Sequence, residues 1–372
     1  MHNRNRGVSL IELMVAVALG LVTIIVVMQV LSVYEARKRT TTAGNDAEMS
    51  AAVGLFMLER EIRMAGAGLT APLALACDAG GNLFFDPATV LDGGVLAPLR
   101  IVDGGTSGGV PLPDRIRVLR SDADFGVAPS IVTQGMGAAT SAVTVTSAAG
   151  LRERDLFLAG APDGSKICTV MQMSSDPVAT GSGFQLNHAS AANLPYNPSN
   201  PTTVFTNAMR YDVGDVVVNL GRLGQTFGVI CNDNAAPSAA NHCDLASFDA
   251  FAAPANPTLA DVNSIVPQVV SLQAQYGVAP LNSQVVNAWE DATGGTWAAP
   301  TAADLPRIKA VRVAIVTRGS LERDVVTPSP LVVWDAGLSS ELSIPLSADE
   351  QRYRYRVLVT VIPLINVIWT GV

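Results

Sequence analysis

An uncharged apolar run near the start of the chain sets the strongest limit on its fold. From Leu13 to Tyr34 no residue is charged, and Glu12 directly precedes the run. About 20 apolar residues suffice to cross a bilayer as a helix. A carboxylate at the edge of the hydrocarbon costs on the order of a few kcal/mol unless it is paired. The run therefore predicts a membrane-spanning helix with a functional acidic residue at its beginning.

Three interpretations of this segment compete. A cleaved secretory signal has a shorter apolar core of about 7–15 residues and a small-residue cleavage site, which residues 29–34 do not offer. A plain single-pass anchor explains the length but neither Glu12 nor the glycine at position 7. The third interpretation rests on a resemblance: the sequence Gly7-Val8-Ser9-Leu10-Ile11-Glu12 is similar to the class III signal of type IV prepilins.

This resemblance implies a processing and assembly scheme. A prepilin peptidase would remove leader residues 1–7 by cutting between Gly7 and Val8, and Val8 would become the N-methylated end. Glu12 would pair with the terminal amine of a neighbouring subunit during assembly, in keeping with the need of a buried carboxylate for a cation. The family usually begins its mature chain with Phe, and this chain departs from that pattern with Val8.

The helix is predicted to continue beyond the membrane. No proline occurs before Pro72, and a stripe of apolar residues returns with helical spacing at Leu55, Leu58, Ile62 and Ala65. Residues 58–66 resemble the end of the long first helix of PilW-type minor pilins, with Gly66 and Gly68 ending it. We therefore expect a transmembrane and assembly helix over residues 8–34 and an amphipathic continuation over residues 35–68.

Residues 69–372 predict a strand-rich globular head. Short β-strand candidates recur, and a long surface loop is expected over residues 234–257, which are rich in Asn, Ala and Pro. The candidate strands lie at residues 115–120, 142–147, 166–171, 215–219, 308–317 and 355–362. The expected fold is α+β, with a long N-terminal helix packed on a mainly antiparallel β head.

The second half of the chain carries a further resemblance. Residues 265–278, followed by Trp289, resemble a block of PilW-like proteins, and residues 308–316 and 357–369 resemble the strands that follow it. The family tends to show Leu-Arg-Asn in the closing strand, where this chain has Leu364-Ile365-Asn366. Tyr276 and Trp289 are expected to pack in the core. Residues 70–264 match no family pattern and predict a lineage-specific middle region.

Charge and cysteine usage favour an exported protein. The formal net charge is −8, and loss of the two leader arginines makes it −10, which argues against a nucleic-acid partner. Four cysteines lie beyond the apolar run and fit an oxidising compartment. Three pairings are possible; a local Cys231–Cys243 bridge is the first choice, with Cys77–Cys168 as the remainder and free buried thiols as the alternative. Arginines flank the run on both sides, so the positive-inside rule does not decide the orientation.

Catalytic and cofactor motifs fail on inspection. Residues 105–109 satisfy Gly-x-Ser-x-Gly formally, but the prolines that follow do not suit the helix of a nucleophile elbow. Asp122, Asp124 and Asp233 lack the spacing of a calcium loop, and neither a Cys-x-x-Cys pair nor a P-loop occurs. The basic run 352–356 predicts a strand with arginines on one face and tyrosines in the core. No catalytic residue, cofactor or metal is expected.

Taken together, the resemblances imply a minor pilin that helps initiate or cap a type IV pilus. The precursor would be a single-pass inner-membrane protein with its head in the periplasm, and the mature form would sit at the pilus tip on the cell surface. The implied partners are the prepilin peptidase, other minor pilins, the major pilin, the inner-membrane assembly platform and a large tip adhesin. Adhesion and twitching motility are the implied processes. Two alternatives stay open: a J-type minor pseudopilin of a type II secretion system, and a membrane-tethered adhesin or binding module.

Overall fold

The computed structural model shows a long helix projecting from a β-rich head. It describes residues 9–69, 81–86, 95–123, 129–205, 207–233, 235–251, 257–322, 324–338 and 340–368. Helix α1 spans Leu10–Arg63, and its 54 residues give a rod of about 81 Å. Within these ranges three single-turn α-helices follow: α2 (Pro201–Val204), α3 (Gly295–Ala298) and α4 (Ile365–Ile368). The predicted continuous helix and α+β class are confirmed.

The end of α1 follows from two glycines. The helix ends at Arg63, and Gly66 and Gly68 then adopt φ angles of +79° and +75°, which glycine tolerates without steric cost. The backbone N–H of Gly66 donates to the carbonyl of Leu119 at 2.9 Å, so the turn after the helix is fixed to the head.

Among the described residues, twenty strands form three sheets and two ribbons, and every pairing between these strands is antiparallel. A five-stranded sheet has the order β1 (Leu99–Val102), β4 (Arg115–Val118), β12 (Gln225–Cys231), β13 (Cys243–Asp249) and β14 (Asn263–Pro267). A seven-stranded sheet has the order β8 (Thr169–Gln172), β7 (Leu156–Gly160), β11 (Val216–Gly221), β5 (Ser130–Gln134), β6 (Val143–Val145), β10 (Gly183–Leu186) and β9 (Val178–Thr180). A four-stranded sheet has the order β16 (Ala288–Glu290), β15 (Val269–Val278), β17 (Ile308–Leu321) and β20 (Tyr353–Pro363). The ribbons pair β2 (Thr106–Ser107) with β3 (Val110–Pro111), and β18 (Leu331–Trp334) with β19 (Leu342–Ile344).

The main core joins α1 to the four- and five-stranded sheets. Leu58 and Ile62 of the helix are fully buried in one cluster with Ile315 of β17, Leu245 of β13 and Val266 of β14. The seven-stranded sheet has separate clusters of its own, among them one around Phe157 and Tyr211. The middle region is therefore split structurally, because its β1, β4, β12 and β13 complete the core beneath α1.

One loop prediction is wrong. Residues 243–249 do not belong to a long surface loop but form β13, which pairs with β12 on one side and β14 on the other. Its sequence contains Asp, Ala and Ser, residues with weak preference for strands. The segment is a strand because its neighbours pair with both edges and bury it, information that its own composition does not carry.

Candidate functional site: the N-terminal helix and its support on the head

The first half of α1 has the length of a membrane span and no contact with the head. Residues Leu10–Glu35 have a mean hydropathy of 2.8, and none of this apolar window is buried within the protein. Its 26 residues rise about 39 Å as a helix, more than the roughly 30 Å of a bilayer's hydrocarbon core. The predicted apolar helix is confirmed. Its apolar side chains are not covered by the head, so a membrane or neighbouring helices would have to cover them.

Glu12 lies in the first turn of this helix. Ser9 precedes the helix in an extended conformation, and its carbonyl accepts the first helical hydrogen bond, from Leu13 N–H at 3.1 Å. The Glu12 side chain is exposed and makes no ion pair with the described part of the chain. Gly7 and Val8, the predicted cleavage and methylation residues, lie outside the described residues. Glu12 is thus available to an external cation, and an acidic residue in a first turn also suits the helix dipole.

The second half of α1 is held on the head by one face. Its buried positions are Gly44, Ala47, Ala51, Gly54, Leu58 and Ile62, three or four residues apart, and Ala65 in the turn after the helix continues the stripe. Of the predicted stripe, Leu55 is only half-buried, whereas the other three members are fully buried. Polar contacts reinforce this face: Thr317 Oγ1 donates to the Ala47 carbonyl at 2.8 Å, and Arg120 Nε lies 3.0 Å from Glu61 Oε2.

The opposite face of the same half exposes large apolar side chains. Met49 is 71% exposed, Val53 47% and Phe56 66%. Their spacing of four and three residues places them on one side of the helix, away from the buried stripe. Exposed polar residues, among them Lys38, Thr42 and Asp46, separate this second apolar patch from the apolar span.

The basic run 352–356 follows the sequence interpretation only in part, because residues 353–356 begin β20 whereas Arg352 ends a short 3-10 helix, Glu350–Arg352. Tyr353 and Tyr355 are half-buried. The three arginines form ion pairs: Arg352 with Asp349 at 3.8 Å, Arg354 with Glu322 at 3.3 Å, and Arg356 with Glu48 of α1 at 3.8 Å. The last pair ties the helix to β20, so these arginines serve the head's own structure.

Packing explains why Tyr276, Gly277 and Trp289 occur together in this part of the sequence. Tyr276 is fully buried, as predicted, and its hydroxyl oxygen accepts the Ile101 N–H at 2.6 Å. Gly277 stands directly opposite Trp289 in the β15–β16 pair, and a Cβ at Gly277 would lie 2.8 Å from the Trp289 ring. Glycine thus leaves the space in which the half-buried Trp289 lies across β15.

Trp289 in turn packs on Arg312, a residue that sequence reasoning missed. The Arg312 guanidinium lies 5.3 Å from the centroid of the Trp289 ring and 4.6 Å from that of Trp334. Its two terminal nitrogens donate to the Asp335 carboxylate at 2.8 and 3.0 Å. The sequence did contain one sign of its role: Arg312 is a charged residue within the apolar strand β17, and buried charges are normally paired.

The disulfide Cys231–Cys243 is present, as predicted. The two residues stand directly opposite each other on β12 and β13, with Cα atoms 4.0 Å apart. Cys168 is buried, and its predicted partner Cys77 lies outside the described residues, so that second bridge stays a prediction. The bridge closes the loop 232–242, and Arg318 of β17 donates hydrogen bonds to the carbonyls of Ser238 and Asn241 in this loop.

The described residues offer no arrangement of a hydrolase elbow. Ser107 lies in β2, which turns directly into β3, and no helix follows it. Asp122 accepts hydrogen bonds from the backbone and side chain of Arg222, and Asp124 lies outside the described residues. Within the part of the chain that the structure describes, no group of three His, Cys, Asp or Glu side chains could hold a metal ion.

Comparison with known proteins agrees with this geometry. An apolar helix that leaves a β-rich head fits a membrane-anchored pilin. A model of the prokaryotic N-terminal methylation motif matches residues 2–28, and the family model described as Type IV Pilus-assembly protein W, PilW, matches residues 246–366. The two matches support a PilW-type pilin with a prepilin signal. The PilW match covers about a third of the chain and begins some twenty residues before the block that the sequence resemblance identified. No curated protein and no solved structure matches the chain.

Proposed function

We propose that this chain is a minor pilin that helps initiate or cap type IV pilus assembly. The observation that carries the proposal is the combination of a methylation-motif match with an exposed apolar half-helix that carries Glu12 in its first turn. In this scheme the prepilin peptidase removes residues 1–7, and Val8 becomes the methylated terminus. The transmembrane helix 8–34 holds the precursor in the inner membrane, with the head, residues 69–372, in the periplasm.

Assembly then rests on two surfaces of α1. Glu12 pairs with the terminal amine of a neighbouring subunit, because a carboxylate among packed apolar helices costs several kcal/mol without a cation. The outer face with Met49, Val53 and Phe56 packs against neighbouring helices beyond the span. The helix half over residues 35–68 is therefore both the support of the head and a lateral contact.

The large head favours a place at the pilus tip. Residues 70–264 add a seven-stranded sheet to the part that the PilW model matches, which is more than lateral helix packing requires. The partners proposed are other minor pilins, the major pilin, the inner-membrane assembly platform and a large tip adhesin. The chain acts as a structural subunit and not as an enzyme.

Two experiments test this function. Intact mass spectrometry of the mature protein, with and without reduction, should show the cut between Gly7 and Val8, one added methyl group and the disulfides. Deletion of the gene should abolish surface pili and leave secreted enzymes unchanged. Loss of secretion with normal pili would instead indicate a J-type pseudopilin, and an uncut N-terminus would indicate a tethered binding module.

A further inference from the structure

A cavity of about 230 Å³ lies on the face of the four-stranded sheet that points away from α1. It is partly open to solvent and bordered by the sheet, both ribbons and the disulfide-closed loop, and we name it the Arg318 cavity. Its wall includes Arg318, Tyr355, Glu350, Pro111, Pro237 and Leu346. None of these residues has a part in the assembly scheme, and the cavity is independent of it.

Arg318 is a buried cation that has no carboxylate partner among the described residues. It is 4% exposed, and its partners are all neutral: the guanidinium donates to Gln268 Oε1 at 3.0 Å and to the two loop carbonyls, and it lies 4.8 Å from the centroid of the Tyr353 ring. No carboxylate forms an ion pair with it within the described ranges. Arg312 lies six residues earlier on the same face of β17 and has a bidentate partner in Asp335. A buried charge without a counter-charge is costly, so binding of an anion beside Arg318 would be favourable.

The rest of the cavity wall indicates which kind of molecule would carry the anion. This wall is largely apolar, and the Tyr355 hydroxyl makes no hydrogen bond within the described residues. The volume is below the roughly 300–1,000 Å³ of a typical small-ligand pocket, and it suits a single large amino-acid residue. Glu350 supplies an acceptor in the wall, and its Oε2 already accepts the Ser347 N–H at 2.8 Å and the Ser347 hydroxyl at 2.6 Å.

We propose that the Arg318 cavity binds the C-terminal residue of a partner polypeptide, with its carboxylate on Arg318 and its apolar side chain in the pocket. Such a residue carries a carboxylate, an apolar group and a backbone N–H together, and each has a matching group on the wall. An internal Asp or Glu would leave the apolar wall unfilled. Capture of a C-terminal carboxylate is a known mode of peptide recognition.

The test uses the full-length protein in detergent micelles and two fluorescein-labelled hexapeptides ending in Leu-Phe. One peptide has a free C-terminal carboxylate, and the other has a C-terminal amide. Fluorescence anisotropy should show at least ten-fold tighter binding of the free acid. Equal binding of the two peptides would overturn the proposal.

Variants separate charge from structure. Arg318→Met and Arg318→Lys both remove the guanidinium that holds the loop, and they differ in charge. The Lys variant should keep most of the preference for the free acid, and the Met variant should lose it; a Met variant that kept the preference would contradict the role of Arg318. In the proposed complex the Tyr355 hydroxyl donates to the bound carboxylate. Tyr355→Phe leaves the loop contacts intact and should weaken binding of the free acid about five-fold, the effect of losing that hydrogen bond.

Two controls complete the design. Arg352→Gln removes an arginine from the same region outside the cavity and should leave the preference unchanged. Free phenylalanine should compete weakly with the peptide, since it lacks the peptide bond that precedes the terminal residue. If free phenylalanine displaced the peptide at equal affinity, the cavity would be a site for free amino acids, and the proposed polypeptide partner would be wrong.

Discussion

Asp114 offers the sharpest prediction for the stability of the head. It lies just before β4 and is 4% exposed. Its Oδ1 accepts Gly104 N–H at 3.0 Å and its Oδ2 accepts Ala274 N–H at 2.8 Å, so it joins the five-stranded sheet to β15. Burial raises its pKa from 3.8 to about 7, the two backbone hydrogen bonds oppose this, and the nearby Asp103 and Asp291 add to it.

The sign of the pH effect follows from this pKa. The unfolded chain releases the Asp114 proton near pH 4, whereas the folded chain keeps it up to about pH 7. The contribution of the protonated group to stability is therefore complete below pH 4 and is lost as the pH rises to 7. At 1.36 kcal/mol per pKa unit, the loss over about three units is about 4 kcal/mol.

Asp114→Asn removes the titration while keeping the shape of the side chain. The free energy of unfolding should be measured by urea denaturation of the full-length protein in micelles, followed by tryptophan fluorescence, from pH 4 to pH 8. Relative to the variant, the unsubstituted protein should lose about 4 kcal/mol over this range. Asp103→Asn is the control, because it removes only a neighbouring charge and should keep most of the pH dependence. A difference between Asp114→Asn and the unsubstituted protein that stayed constant within about 1 kcal/mol would refute the reasoning.

Three further predictions concern α1 and the disulfide, all read from the same denaturation at one pH. Leu58→Ala should lower the free energy of unfolding by about 2–5 kcal/mol because Leu58 is fully buried, while Phe56→Ala on the exposed face should change it by less than about 0.5 kcal/mol; equal effects would contradict the assigned faces. Gly54→Ala should raise it by up to about 1 kcal/mol, since a Cβ there meets its nearest side chains at 3.4 Å and alanine favours helix. A marked decrease in the free energy of unfolding of Gly54→Ala would show that the helix packs more closely on the head than the structure indicates. Joint replacement of Cys231 and Cys243 by Ser should cost about 3 kcal/mol, as expected for a short closed loop, and an unchanged midpoint would show that the bridge constrains nothing.

The sequence predicted the elements whose signals are local. The apolar span, the stripe at Leu58 and Ile62, the glycine stop and the strands β4, β11, β17 and β20 all follow from composition and periodicity over neighbouring residues. The disulfide was also accessible, because its cysteines are twelve residues apart and bracket a turn-rich segment.

The rest depends on contacts between distant segments. β13 is a strand because β12 and β14 flank it, and its own sequence lacks the usual preference. Asp114 contacts Ala274, 160 residues away, and Arg318 contacts a loop some 80 residues earlier in the chain. No window of sequence contains both partners of such a contact. Arg312 and Arg318 were missed, because the sequence shows them as charges within an apolar run but does not show the residues that they contact.

Glu12 is the residue on which the proposed assembly depends, and the content of sheared filaments tests it most directly. Glu12→Ala and Glu35→Ala remove one carboxylate from each end of the same apolar span. With equal amounts of each protein in the membrane, the Glu12 variant should fall at least ten-fold in the filament fraction, the effect of losing about 1.4 kcal/mol or more of pairing energy. The Glu35 variant should enter filaments normally. A Glu12→Ala protein found in filaments at the level of the unsubstituted protein would contradict the account.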